Sequence, residues 1–503
     1  MSYAKKSILS FGILGCALAA LLFSCRTPPG TPERPVPEIP PETVKEPARP
    51  ATTPPETVKE PWKPAEVPPK TVEIPPKSAE PEIPYESMSA AVALGDPQKA
   101  LDEYQKALKE KPQDAATRLL HARLLLVAGR LTEAREELDV LLAEDAKNAD
   151  ALFALSLLAA LEGSRAGEKT ALEKAVAADP KHAEALSALG ALALEGEDVE
   201  KARGYFAKAI EADAGNLEAL VGMGEILHRK GDEKAAAESY TKAIEVQPDY
   251  PFSYVDRARS RRASGDLQGA VADLTAAIRM DPEYYWSYID RGRIYIQTGK
   301  KDNALEDFSM AVRLDPDQFI AYAYRAEILF QKERREEALS DYRRIVALKP
   351  DYYFAYQPLG ILLWFQEDWQ AARAAFQEAY RYEPDEHAYA LLQAALLRRE
   401  KKNREAVDYL NSFLPSLPRE SWYYETARYL LEPAADFNMV TRIDKEKNGT
   451  LKARMLFYYA VESLVLGKTR AAQTALLDIE KKGDVEAMEI KLGLWELSRF
   501  KEK

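Results

Sequence analysis

A proline returns along this chain at a fixed interval. Prolines stand at 112, 180, 248, 282, 316, 350, 384 and 418; every gap equals the step from Pro248 to Pro282 or twice it, and the skipped slots hold Ala146 and Ala214. Twelve residues before each slot lies a small side chain (Ala100, Ala134, Ala202, Ala236, Ala270, Ala304, Ala338, Ala372, Ala406), with Glu168 the exception. Eight before it lies a large one, among them Tyr104, Leu138, Phe206, Tyr240, Phe308, Tyr342 and Phe376. Twenty-four before it a small residue returns, as Gly190, Gly224, Ala258, Gly292, Ala326 and Gly360. Ten frames hold this register without an insertion. A unit of this length cannot bury an apolar face alone, so each must stack on its neighbours.

The pattern resembles the tetratricopeptide repeat, and it covers residues 86–420 with about ten units. The resemblance implies an all-α fold, a right-handed α-α superhelix in which each unit is two antiparallel helices. Small residues let the helix axes approach while the large residue fills the gap. Gly95, Gly129, Gly231, Gly265 and Gly299 fall where the first helix must end, because glycine enters the left-handed region cheaply. Pairs such as Asp281-Pro282 and Asp315-Pro316 stop the second helix. In three units Arg257, Arg291 and Arg325 occupy one slot and Asp273, Asp307 and Asp341 another, which reads as structural ion pairs joining the two helices of each unit.

After Glu420 the register breaks, and residues 421–503 read as a helical C-terminal cap with a degenerate repeat. Ala460, Gly467, Ala472 and Leu476 fit repeat slots, and 486–500 is amphipathic, with Met488, Leu492, Trp495 and Leu497 as its apolar stripe.

The other end carries an address. Lys5 and Lys6 precede an apolar stretch from Ile8 to Phe23, too short for a comfortable membrane span, which ends in Leu22-Phe23-Ser24-Cys25. This resembles a bacterial lipoprotein signal over 1–24, with Cys25 as the lipid-attachment site; an ordinary secretory signal or an uncleaved anchor are the alternatives. The resemblance implies palmitate and other acyl chains, membrane anchoring and a place in the cell envelope. Arg26 at the following position, rather than Asp, favours the outer membrane. Residues 25–85 are Pro-rich, with PPETVKEP at Pro40 and again at Pro54 and PPKTVEIPP at Pro68. Proline blocks helix and sheet, and too few apolar groups exist to offset ordering entropy, so a disordered, extended linker is expected.

Composition narrows the function. A net charge of -12 repels phosphate backbones, which argues against nucleic acid. The two cysteines, Cys16 and Cys25, lie within the first 25 residues, and His121, His182, His228 and His387 are scattered. No phosphate-binding, dinucleotide-binding, serine-hydrolase or zinc-protease motif occurs. The expectation is a chain that is not an enzyme, with no catalytic residues, metal or cofactor.

In this family the inner surface comes from slots two, five, nine and twelve of the first helix, which share one helical face. Here those slots become rich in aromatic and charged residues in the repeats at 251–386: Phe252, Arg259 and Arg262, then Trp286 and Arg293, then Glu327 and Phe330, then Phe354 and Trp364. Aromatic residues and Arg dominate binding hot spots, so these are the candidates for a ligand or peptide groove. The Lys and Asn of the family's two-carboxylate clamp are replaced by Val255, Ile289, Arg259 and Arg293, and a peptide with apolar side chains and some acidic character fits better. The reading is a membrane-anchored scaffold for protein partners in an envelope complex. The alternative is a solute- or small-ligand-binding accessory of a transporter.

Overall fold

The computed structural model describes residues 87–88, 91–92, 95–107, 114–433, 436–481 and 487–501. The signal at 1–24, Cys25 and the linker at 25–85 lie outside the described residues. Among the described residues there are 24 α-helices and no strand. They fall into two units, one ending at Ser264 and one beginning at Gly265.

In the first unit the helices are α1 (Pro97–Ala107), α2 (Ala115–Val127), α3 (Leu131–Glu144), α4 (Ala149–Leu161) and α5 (Arg165–Ala178). They continue with α6 (Ala183–Glu195), α7 (Val199–Ala212), α8 (Leu217–Arg229), α9 (Glu233–Val246) and α10 (Pro251–Ala263). The second unit opens with α11 (Leu267–Met280), α12 (Tyr285–Gln297), α13 (Lys301–Leu314), α14 (Phe319–Gln331) and α15 (Arg335–Leu348). Then come α16 (Tyr356–Phe365), α17 (Trp369–Tyr382), α18 (Ala388–Arg399), α19 (Asn403–Phe413) and α20 (Trp422–Leu431). The last four are α21 (Asp436–Lys445), α22 (Gly449–Val465), α23 (Thr469–Glu480) and α24 (Met488–Lys501).

Local chemistry sets the ends of these helices. After α2 the Gly129 N–H donates to the Leu126 carbonyl at 3.1 Å and the Arg130 N–H to the Leu125 carbonyl at 2.9 Å, which satisfies the last carbonyls of the helix. That closure places Gly129 at φ 70°. The same slot is left-handed in repeat after repeat along the array, yet Glu197, Glu333, Glu367 and Lys401 fill it with φ between 57° and 61°. The closure therefore imposes the conformation even where a Cβ opposes it. At the other junction, Asp315 adopts extended backbone at the end of α13 and Asp281 leaves the helical region at the end of α11, as the prolines that follow require.

Packing explains the small and large slots. A Cβ built on Gly190 would lie 2.6 Å from the Phe206 ring, one on Gly224 2.6 Å from Tyr240, one on Gly292 2.8 Å from Phe308 and one on Gly360 2.6 Å from Phe376. Each ring thus sits on the backbone of the first helix of its own pair, and only glycine leaves room there. In the first unit, apolar clusters run from Met88 to Leu189 and from Leu186 to Ile226. In the second, one cluster runs from Tyr288 to Leu497.

Candidate functional site

The ion pairs tie helices together. Arg291 holds Asp307 with Nε to Oδ2 at 2.9 Å and Nη2 to Oδ1 at 2.7 Å, and Arg325 holds Asp341 at 2.8 and 2.7 Å in the same two-pronged way. Both aspartates are buried, and burial pushes their carboxyls above the ordinary range against the pull of the arginines. Each arginine also reaches back to the previous repeat, Arg291 Nη1 to Thr275 Oγ1 at 3.1 Å and Arg325 Nη1 to Ser309 Oγ at 3.4 Å. Arg257 makes the equivalent contact to Thr241 Oγ1 at 3.1 Å in the first unit; Asp273, buried, belongs to the second. The hydroxyls of Thr241, Thr275 and Ser309 recur at one slot of the repeat, a signal the Arg and Asp spacing alone does not use.

The first-unit groove candidates lie on α10. Phe252 is half-buried with its ring 5.4 Å from Tyr250, Arg259 Nη1 donates to Asp256 Oδ1 at 3.2 Å, and Arg262 is half-buried.

In the second unit the same face divides in two. Trp286 is half-buried, with its ring 5.2 Å from that of Tyr285. Arg293 lies over the Tyr324 ring at 5.9 Å. Exposed Glu327 accepts from Gln331 at 2.7 Å and from the Tyr342 hydroxyl at 3.2 Å. Phe354 remains 43% exposed, stacked 4.1 Å from Tyr353. Slot five is closed rather than a lining here, since Ile289 on α12 and Ala323 on α14 are both buried.

Trp364 requires a correction. It is 0% exposed, and its indole N–H donates to Glu496 Oε1 at 3.0 Å. The cover is α24, which lies over the first helices of the preceding repeats. Gln357 Nε2 meets Met488 Sδ at 3.7 Å, the Phe365 and Trp495 rings are 5.5 Å apart, and Arg499 pairs with Glu367. One repeat earlier, Lys491 lies 5.5 Å from the Phe330 ring, so Phe330 is also partly covered. The chain itself therefore covers the inner-face positions Phe330, Gln357 and Trp364, whereas Trp286, Arg293, Glu327 and Phe354 remain open.

Buried charge holds this covering segment, and the sequence reading missed it. Arg399 Nη2 donates to Glu496 Oε1 at 2.6 Å while lying 5.6 Å over the Trp364 ring. Arg398 pairs with Glu462, its Nε to Oε2 at 3.2 Å. Arg454 Nε donates to Glu489 Oε1 at 2.9 Å; burial opposes the charge on this guanidinium, yet the carboxylate beside it holds it above its ordinary range. A signal existed: Glu462 interrupts the apolar run of α22, where a charge survives only with a partner. Glu489 and Glu496 gave none, because they read as the wet side of an amphipathic helix.

Models described as tetratricopeptide repeat match residues 91–161, 153–216, 217–250, 255–319, 289–353 and 358–421. These matches cover more than half of the chain, which belongs to the tetratricopeptide repeat family and has its all-α solenoid fold. Such repeats are protein-protein interaction scaffolds that bind proteins or peptides and are generally non-catalytic. No curated protein matches the sequence. Among solved structures, PilF of Pseudomonas aeruginosa is 22% identical with a TM-score of 0.38, over 42% of this chain and 96% of its own. The C-terminal part of a repeat protein from Cytophaga hutchinsonii is 15% identical with a TM-score of 0.38, over 48% of this chain and 99% of its own. YrrB, described as a TPR protein with an unusual peptide-binding site, is 21% identical with a TM-score of 0.33, over 37% and 96%.

Proposed function

We propose that this chain is an envelope lipoprotein, anchored through Cys25 with the outer membrane favoured, whose repeats hold a protein partner for the assembly or maintenance of an envelope complex. The observation that carries the reading is the open part of the second unit's inner face. There an indole at Trp286 and a guanidinium at Arg293 stand on α12 and a carboxylate at Glu327 on α14, the first helices of two successive repeats. Where the same face is filled, its occupant is a helix that offers apolar side chains and a carboxylate, Glu496, to an indole and an arginine. A partner segment with apolar and acidic side chains suits the open part by the same chemistry. The anchor is supported by the Leu22-Phe23-Ser24-Cys25 ending and by the proline-rich spacer that follows it.

Affinity capture from envelope extracts tests the face: wild type should retain a partner that Trp286→Ala and Arg293→Glu lose. Recovery unchanged in both variants would remove the assignment. Labelling with a palmitate analogue tests the anchor, with Cys25→Ser expected to lose the label and leave the membrane fraction; a variant that keeps both would contradict it.

A further inference from the structure

A second site lies beside the covered part of that face, where α24 begins and Gln357 and Met488 reach its wall. The turn from Tyr382 to Glu386, Tyr389 on α18, Arg454 on α22 and Glu489 on α24 line a cleft of about 740 Å³ within the second unit. Its charge is one-sided. Glu383, Asp385, Glu386 and Glu489 face a single cation among the described lining residues, Arg454. That arginine is fully engaged, donating to Glu489 Oε1 at 2.9 Å and to Glu386 Oε1 at 3.3 Å, with its guanidinium 4.6 Å over the Trp422 ring. The N-termini of α18 and α24 each add about half a positive charge, and the four carboxylates still exceed the sum.

One carboxylate oxygen is left over. Glu489 is 0% exposed, and its Oε2 has no hydrogen-bond partner although Oε1 is doubly contacted, by Arg454 and by the Tyr458 hydroxyl at 3.4 Å. A buried acceptor left unmade costs about 1–3 kcal/mol, so such an atom calls for an explanation. Tyr382 and Tyr389 line the same cleft, and the Tyr389 hydroxyl donates to Glu383 Oε2 at 3.1 Å. No group of three His, Cys, Asp or Glu side chains among the described residues is arranged to hold a metal ion. The cleft therefore suits an organic cation with N–H donors.

We infer that this cleft binds an alkylammonium group, which donates to Glu489 Oε2 and is balanced by Glu383 and Asp385 at the rim. The group comes either from a lysine side chain of a protein partner or from a free aliphatic amine. The site does not depend on the inner-face reading above, because it shares none of Trp286, Arg293 and Glu327.

Calorimetric titration of the full chain tests the inference with three probes: the peptide acetyl-Gly-Lys-Gly-amide, the same peptide acetylated on the lysine, and n-butylamine. The free-lysine peptide and butylamine are expected to bind, and the acetylated peptide to give no heat. A peptide that binds more tightly than butylamine assigns a partner's lysine; equal affinities assign a free amine. Glu383→Gln with Asp385→Asn alters only exposed rim residues and is expected to weaken both probes about three- to tenfold through lost charge attraction. Glu489→Gln should weaken them further, and a circular-dichroism melt reports whether that buried change still folds. No binding by the wild type, equal binding of the acetylated peptide, or rim variants with unchanged affinity would each overturn the proposal.

Discussion

The two units are built from one repeat and stabilised in different ways. In the first, α2, α4, α6 and α8 begin with a polar side chain that caps the helix: Asp114, Asn148, His182 and Asn216 each accept from a backbone N–H three residues on. Side-chain contacts there, such as Ser187 with Glu218 at 3.0 Å, join adjacent repeats. From α10 onward this changes: α10 and, in the second unit, α12 begin with no side-chain cap, and the Tyr254 and Tyr288 hydroxyls donate to the Pro248 and Pro282 carbonyls at 2.9 and 3.2 Å. What sets the second unit apart is that its chain folds back, and Trp364 meets Glu496 across 132 residues. A stack held by neighbours is stable in proportion to local interfaces, whereas a closed segment couples distant helices. The first unit should open gradually and the second as one body.

The sharpest way to break this contrast is to remove the link. Trp364→Ala deletes a fully buried indole and leaves Glu496 and Arg399 without it, a loss of about 3–5 kcal/mol. Denaturant unfolding should show the second unit losing its single transition, and limited proteolysis should cut near 481–488. By contrast Phe206→Ala, of similar size, should lower hydrogen-exchange protection near α5 to α9 and leave α2 and α3 unchanged. Uniform loss across the first unit would mean that it too is closed.

Next in size is the buried pair. Arg325→Met strands Asp341 and should cost about 3 kcal/mol, while the double change with Asp341→Leu should return to within about 1 kcal/mol of wild type. A double-mutant cycle with no coupling would show that the pair holds nothing together. Smaller again is Gly222→Ala in the first unit. The new Cβ meets the Phe206 ring and should cost about 1–3 kcal/mol in thermal unfolding. The smallest effect has the opposite sign. Glu333→Gly relieves a left-handed non-glycine residue on an exposed turn and should raise stability by about 0.5–1 kcal/mol.

What the sequence disclosed follows from how the information is carried. Contacts made again in several repeats write themselves as a period, so the Gly190 and Phe206 packing, the left-handed turn at Gly129 and the Arg291 and Asp307 pair all had a visible pattern. Contacts made once in the whole chain leave no period. The seating of α24 on Trp364, the pairing of Arg398 with Glu462 and the Arg454 and Glu489 cluster each arise from a single fold-back. Periodicity assigned Trp364 to the inner face and had no means of knowing that residue 496 would cover it. For the same reason Glu489 and Glu496 read as solvated, although each is buried against an arginine.

A photocrosslinking amino acid placed in turn at 286 and at 357 in the native cell addresses the division of the inner face most directly. At 357 the account predicts a crosslink within the chain, to the segment containing Met488, and at 286 a crosslink to a different protein. Capture of another protein from 357, with none from 286, would contradict it.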